Sequence, residues 1–234
     1  MITVGAAEKK GVNSAALYAE WAVLDPMLTY GLPPHVTAAT GVDAMVHAIE
    51  AYTSIRLKNP ISDALAKEAL RLLGANIRTA VNRSDDTEAR GAMLLGAYLA
   101  GVAFANAPVA GVHALAYPLG GHFHVPHGLS NALMLPHVLG HNMGAAMPLY
   151  AELAPFVDPK LGAIGRQGQA QGLVEALVSI AADCGLPNRL RAVGVEAGHL
   201  DLLASEAMKQ QRLLINNPCP IEQHHARALY EAAL

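Results

Sequence analysis

A long uncharged segment sets the first constraint on how this chain can fold. No Asp, Glu, Lys or Arg occurs in residues 91–112, and the segment is rich in Ala and Gly. A run of this length could cross a bilayer, but Asn106 and Pro108 interrupt it, and it lacks flanking Lys/Arg clusters and an aromatic belt. We therefore expect a fully buried central helix whose end holds His113 in the protein interior.

Most of the remaining sequence shows helical spacing of apolar residues, interrupted by Pro and Gly. The first predicted helix covers residues 42–52, with Thr37 or Thr40 as its cap, and the second starts at Ser62 or Asp63. Residues 84–86 are predicted to cap the uncharged helix. Further helices are predicted over residues 129–135, ending at Pro136, and over residues 168–182, 200–208 and 221–233.

The start of the chain has a different pattern. Residues 2–4 and 22–24 are short β-prone runs, and residues 5–13 between them form a polar loop. The sequence therefore predicts a mainly α fold, in which an all-α domain, residues 31–234, follows a small β segment, residues 1–30.

Composition excludes several classes of partner. The 16 basic and 19 acidic residues give a net charge of -3 without a basic run, which argues against nucleic acid and membrane as partners. Cys184 and Cys219 are too few for a disulfide framework, and the N-terminus lacks the pattern of a signal peptide, so we expect a cytoplasmic protein. With 53% hydrophobic residues, the chain is expected to form a homo-oligomer or to bind another domain.

Histidines are concentrated in residues 113–127, which hold four of the eleven in the chain. Neutral imidazole is a common ligand of borderline metals. Asp43 and His47 lie four residues apart on a predicted helix among apolar neighbours, where an unpaired carboxylate would be costly. Together with His113 and His127 they would form a donor set that suits Fe²⁺ or Zn²⁺. The pairs His122/His124 and His137/His141 are rival ligands.

Two segments together resemble the iron-containing (group III) alcohol dehydrogenase family. They are residues 41–52 and residues 113–128, and the similarity continues through residues 32–34, 59–63, 131–137 and 216–218. The resemblance implies an all-α, dehydroquinate synthase-like metal-binding domain after a β remnant of an α/β dinucleotide-binding domain. It also implies that Asp43, His47, His113 and His127 bind the ion, which leaves the rival histidines in supporting roles.

The resemblance implies a metal-dependent, NAD(P)-linked alcohol dehydrogenase, or aldehyde or ketone reductase, acting on a small substrate by hydride transfer at a metal-bound alkoxide. Many family members have His at the position of Tyr117, where it is thought to relay protons or contact the cofactor. A phenol of pKa about 10 is a poorer proton shuttle than His at neutral pH. Lys10 matches a position near the cofactor, and is otherwise a solvated loop residue.

One expected part of the family pattern is missing from this sequence. The family's dinucleotide-binding domain has a Gly-Gly-Gly-Ser phosphate loop that no segment here matches. We expect a truncated or split chain that binds NAD(P) weakly alone and needs a partner to supply that domain. The alternatives are a non-catalytic metal-binding remnant or interaction module, or, within the same fold, a maleylacetate reductase, a zinc-type glycerol dehydrogenase or a dehydroquinate synthase.

Overall fold

A computed structural model describes residues 2–4, 8–11 and 14–234 of the chain, and this part is mainly α-helical. It contains nine α-helices, α1 to α9, in the order Pro34–Thr53, Pro60–Asn82, Thr87–Asn106, Gly111–His122, His127–Val157, Arg166–Asp183, Leu200–Ala207, Gln211–Leu214 and Gln223–Ala233. The prediction of a mainly α fold is confirmed. The domain boundary near residue 30 stays a prediction.

The chain begins with two short antiparallel strands. β1 (Ile2–Val4) pairs with β2 (Glu8–Lys10), so that Ile2 lies opposite Lys10. The prediction of a strand over residues 22–24 is wrong, because this segment is irregular and Val23 is 87% exposed. β2, the strand that pairs with β1, lies instead within the predicted polar loop. Closing this shorter connection costs less chain entropy than closing the longer one that was predicted.

Helix α1 is the centre of the core and packs against α2, α3 and α5. It begins at Pro34, earlier than the predicted Thr caps, because the fixed φ of proline suits the first position of a helix. Asn59, rather than Ser62 or Asp63, caps α2 by accepting a hydrogen bond from Ser62 N at 3.0 Å. On α2 the buried residues follow helical spacing, as at Ala66, Leu70, Leu73 and Ile77.

The uncharged segment forms two helices rather than one. Asp86 caps α3 as predicted, since its Oδ1 accepts a hydrogen bond from Ala89 N at 2.9 Å. The prediction of one fully buried helix is wrong, because α3 ends at Asn106 and keeps Leu95 and Tyr98 over 40% exposed. Pro108 explains the break, since proline lacks an N–H and disfavours helical geometry in the residue before it.

None of the described helices alone has both the length and the apolar character to cross a membrane. The pair α3 and α4 meets both criteria only when counted together, and its axes are bent by 107° at the break. The bend places His113 in the first turn of α4, which is buried along nearly its whole length.

Helix α5 is much longer than predicted. The expected stop at Pro136 is wrong, because α5 continues through Pro136, Pro148 and Pro155 to Val157. Packing of α5 against α1, α4 and α6 compensates for the hydrogen bonds that these prolines cannot form. α6, α7 and α9 match the predicted helices to within two residues, and α6 is followed by Gly185 at φ 75°.

Candidate metal centre

Two predicted ligands lie in the middle of α1. Asp43 and His47 are one turn apart, so their side chains project from the same side of the helix. Their side chains are 14% and 21% exposed, whereas Met45, Val46 and Ala48 around them are fully buried. His47 Nε2 lies 3.9 Å from Asp43 Oδ1. α1 therefore presents a carboxylate oxygen and an imidazole nitrogen side by side.

Two more helices bring the remaining predicted ligands to this point. His113 lies in the first turn of α4, and His127 is the first residue of α5. The Nε2 atoms of both are 3.8 Å from Asp43 Oδ1. The chain turns between the two helices in residues 123–126, where His124 has a φ of 54°. One ligand atom from each of the four residues lies within 4.8 Å of all the others.

The separations from Asp43 and the chemistry of the four residues fit a divalent cation. Two ligand atoms that are each about 2.0–2.2 Å from one ion can lie at most about 4.4 Å apart. The separations of 3.8–3.9 Å from Asp43 Oδ1 satisfy this limit. One carboxylate with three imidazoles is a mixed oxygen and nitrogen set of the kind that Fe²⁺ and Zn²⁺ accept.

The surroundings of His47 keep its ring neutral. Burial lowers the pKa of His47 from 6.5 to about 3, and the nearby His113 contributes to this decrease while Asp43 opposes it. Phe104 stacks on the His47 ring with centroids 4.6 Å apart, and His113 stacks on it at 4.9 Å. A neutral imidazole retains the nitrogen lone pair that a metal ion requires.

Asn131, one turn after His127 on α5, contacts three of the four residues. Its Nδ2 donates to Asp43 Oδ1 at 2.5 Å and lies 3.3 and 3.2 Å from Nε2 of His113 and His127. Its Oδ1 is buried and has no hydrogen-bond partner among the described residues. Rotation of the amide would turn this oxygen toward the same atoms, so the unpaired oxygen is also consistent with a cation at this point.

Glu50 holds His113 from the opposite side. Its carboxylate is 4% exposed and lies on α1, one turn after His47. Glu50 Oε2 is 2.7 Å from His113 Nδ1 and accepts from Ala110 N at 2.9 Å, and Oε1 accepts from Val112 N at 2.6 Å. Neither Glu50 nor Asn131 was predicted from the sequence as a site residue. Glu50 lies one helical turn from His47, and Asn131 lies one turn from His127. This spacing from the predicted ligands could have indicated both residues.

A small cavity opens beside His127. It has a volume of about 230 Å³ and is lined by Ala116, Tyr117, Gly120, His124, Val125, Pro126 and His127. The Tyr117 and His127 rings lie 5.8 Å apart. Burial raises the pKa of Tyr117, although Arg212 opposes the shift, so its hydroxyl remains protonated. A larger groove of about 490 Å³ lies between α2, the end of α5 and α6, but no His lines it.

The rival histidines lie outside the four-residue group. His122 Nε2 is 3.9 Å from Glu206, His124 is exposed, and His141 Nε2 is 3.1 Å from the Pro220 carbonyl oxygen. Burial lowers the pKa of His137. The side chain of Lys10 lies outside the described residues, so its predicted cofactor contact stays a prediction.

A second group, Glu222, His224 and His225, also brings possible ligand atoms together at the surface. Two of its members already form a capping box at the start of α9. Glu222 accepts from the backbone N–H of His225, and His225 Nδ1 accepts from Glu222 N at 3.2 Å. Helix capping therefore explains their closeness without a metal ion.

Comparisons with known proteins give consistent results. Residues 37–234 match the family model described as the Fe-containing alcohol dehydrogenase family, C-terminal. The chain is 44% identical over 225 residues to long-chain-alcohol dehydrogenase 1 of Geobacillus thermodenitrificans, covering 96% of this chain and 57% of that protein. It is 39% identical over 192 residues to 1,3-propanediol dehydrogenase of Citrobacter freundii, covering 82% of this chain and 49% of the relative.

Solved structures show the same similarity. A crystal structure of 1,3-propanediol oxidoreductase superposes with a TM-score of 0.86 at 36% identity, over 90% of this chain and 55% of that one. Sulfoacetaldehyde reductase from Bifidobacterium kashiwanohense, in complex with NAD⁺, gives a TM-score of 0.78 at 27% identity, over 89% and 53% of the two chains. The chain thus spans about half the length of the relatives it matches.

Proposed function

Because the chain belongs to the Fe-containing alcohol dehydrogenase family, we propose that it forms the metal-binding catalytic part of an NAD(P)-linked alcohol dehydrogenase, or aldehyde or ketone reductase. The convergence of Asp43, His47, His113 and His127 from three helices is the main support for this proposal. These residues are the proposed ligands of Fe²⁺, with Zn²⁺ as the alternative ion.

A divalent cation at this position would supply a Lewis acid for the oxygen of an alcohol or carbonyl substrate. Oxidation of an alcohol would then transfer a hydride from its carbon to the nicotinamide and release the hydroxyl proton. The cavity beside His127 has room for a small substrate, and Val125 and Pro126 give it an apolar wall. The protonated Tyr117 would donate a hydrogen bond to the substrate oxygen, and we propose this as its role.

The nicotinamide would need residues beyond the catalytic domain. We propose that residues 31–234 form this domain, that residues 1–30 belong to a nucleotide-binding domain, and that a complete domain of that kind acts with this chain or comes from a partner. The NAD⁺ complex of the related sulfoacetaldehyde reductase supports a nicotinamide cofactor for the whole enzyme. We expect the complete enzyme to act as a homo-oligomer.

Metal analysis of the purified protein tests the ligand set. We expect one equivalent of Fe or Zn per chain, with most of it lost in His113→Ala and in His127→Ala. His224→Ala is the control, because it removes an exposed imidazole outside the group and should leave the metal content unchanged. Wild-type protein that takes up no stoichiometric metal would refute the proposed centre.

Activity is tested separately with NAD(P)H and short aldehydes, using this chain together with a nucleotide-binding domain. We expect metal-dependent oxidation of NAD(P)H that Tyr117→Phe slows without releasing the ion, because the phenyl ring fills the same space without a donor. Stoichiometric metal without any turnover would limit the chain to a metal-binding role.

A further inference from the structure

We propose that Glu50 is a positioning residue that fixes the imidazole of His113 with its proton on Nδ1, so that Nε2 faces the candidate metal centre. This proposal rests on the ligand set given above and adds a residue that holds one of the ligands in place. The contact that carries it is the 2.7 Å distance between Glu50 Oε2 and His113 Nδ1, with both side chains at most 5% exposed.

The contact between Glu50 and His113 fixes the position of this proton. A carboxylate can only accept, so Nδ1 must donate to Glu50, and Nε2 of the neutral ring then carries a lone pair. On the other side of the ring, the Asn131 amide lies 3.3 Å from Nε2, and its NH₂ group can donate to this lone pair. An unprotonated Nε2, which lies 3.8 Å from Asp43 Oδ1, is the form that can bind a metal ion.

Glu50 also fixes the position of α4 relative to α1. The N-cap residue of α4, Ala110, has no side chain that can accept a hydrogen bond. Glu50 takes this role from another helix by accepting from Ala110 N and Val112 N. A single side chain thus attaches the start of α4 to the helix that carries Asp43 and His47. This attachment therefore helps to set the position of His113 relative to Asp43 and His47.

Glu50→Gln tests the proposal with little change in shape. The NH₂ of the new amide must face either Val112 N, or Ala110 N together with His113 Nδ1. All three of these atoms are donors, so the NH₂ group loses a hydrogen bond in either orientation. We expect the dissociation constant for Zn²⁺, measured by competition with a chelator, to increase by about 10- to 100-fold. We also expect ¹⁵N NMR of the metal-free variant to show His113 losing its pure Nδ1–H form.

Asn217→Ala is the matched control for a purely structural role. Asn217 Oδ1 accepts from Gly111 N at 3.2 Å, between the two amides that Glu50 holds, and Asn217 forms none of the ring contacts of the metal centre. We expect this variant to lose stability while His113 keeps its Nδ1–H form and the Zn²⁺ affinity falls far less. An equal loss of affinity in both variants would overturn the positioning role.

The NMR measurement on metal-free wild-type protein decides the proposal even if Glu50→Gln fails to fold. An Nε2–H form of His113 in the wild type would overturn the proposal, and an Nδ1–H form is the expected result. This result is independent of metal binding. A wild-type protein with an Nδ1–H form that takes up no metal would refute the proposed metal centre but not the Glu50 contact.

Discussion

Gly128 provides the sharpest test of how α5 is packed against α1. A Cβ atom at this position would lie 2.5 Å from the carbonyl oxygen of Ala39, 2.8 Å from its carbonyl carbon and 3.2 Å from Thr40 N. These are backbone atoms of α1, so they cannot move aside as the end of a flexible side chain could. Gly128→Ala must therefore push the two helices apart by about 1 Å to reach ordinary contact distances.

The effect of this displacement can be estimated for stability and for the metal centre. Overpacking of this kind costs about 1–3 kcal/mol, which lowers the Tm of a domain of this size by about 2–12 °C. His127 precedes the substituted residue, and Asp43 lies one turn after Ala39, so the ligand separations would change as well. A shift of about 1 Å greatly exceeds the roughly 0.2 Å tolerance of metal–ligand distances, so metal affinity should fall sharply.

Thermal unfolding and chelator competition on one set of proteins measure both effects. Gly140→Ala is the control, because Gly140 lies on the same helix and has no atoms within 4 Å of the point that a Cβ atom would occupy. We expect it to stabilise the protein by about 0.5–1 kcal/mol, since Ala favours helix over Gly, and to leave metal affinity unchanged. A Gly128→Ala protein with wild-type Tm and metal affinity would refute the close packing of α1 on α5.

Three further predictions concern stability. Tyr230→Phe removes the 2.6 Å hydrogen bond from the buried hydroxyl to the Leu115 carbonyl, and should lower the free energy of unfolding in urea by about 1–2 kcal/mol. An unchanged free energy of unfolding would contradict this hydrogen bond. In metal-free protein the pKa of His47 is about 3 when folded and 6.5 when unfolded, so the contribution of neutral His47 to the free energy of unfolding is fully present above pH 6.5. This contribution should fall by up to about 1.4 kcal/mol per pH unit as the pH decreases toward 3. His47→Gln should weaken this pH dependence in acid titrations. Gly185→Ala places a side chain at φ 75° and should cost about 1 kcal/mol in the same urea assay, whereas an unchanged midpoint would contradict the left-handed conformation.

Most of the helices, and the pairing of Asp43 with His47, could be predicted from the sequence because they depend on local spacing. Asp43 and His47 share one side of α1 by their separation of four residues, and burial of the neighbouring residues follows from their apolar character. The convergence of His113 and His127 on this pair depends on long-range packing. Only the resemblance to a family predicted it, since the spacing alone left the other histidines as alternatives.

The errors occurred where distant contacts outweigh local preference. Pro136 predicts a helix end, yet α5 continues because it is packed against α1, α4 and α6. Pro108 breaks the uncharged segment into two helices, although composition alone suggested one. Glu50 was missed because a carboxylate in an apolar segment shows its partners only when α4 is placed beside it. Three hydrogen-bond donors offset the cost of burying the Glu50 carboxylate, and all of them are more than fifty residues away in sequence.

The position of His127 has a consequence for how fast a bound ion would exchange. His127 is the first residue of α5, follows a Pro126 that provides no side-chain cap, and is the most exposed of the four proposed ligands at 30%. Side-chain rotations occur far faster than the opening of a buried helix turn. Rotation of the His127 side chain would detach one ligand while Asp43, His47 and His113 stay in place, because Gly128 holds the backbone of this turn against α1. We expect ion exchange to proceed in the folded protein, at a rate set by the motion of the His127 side chain and independent of global unfolding.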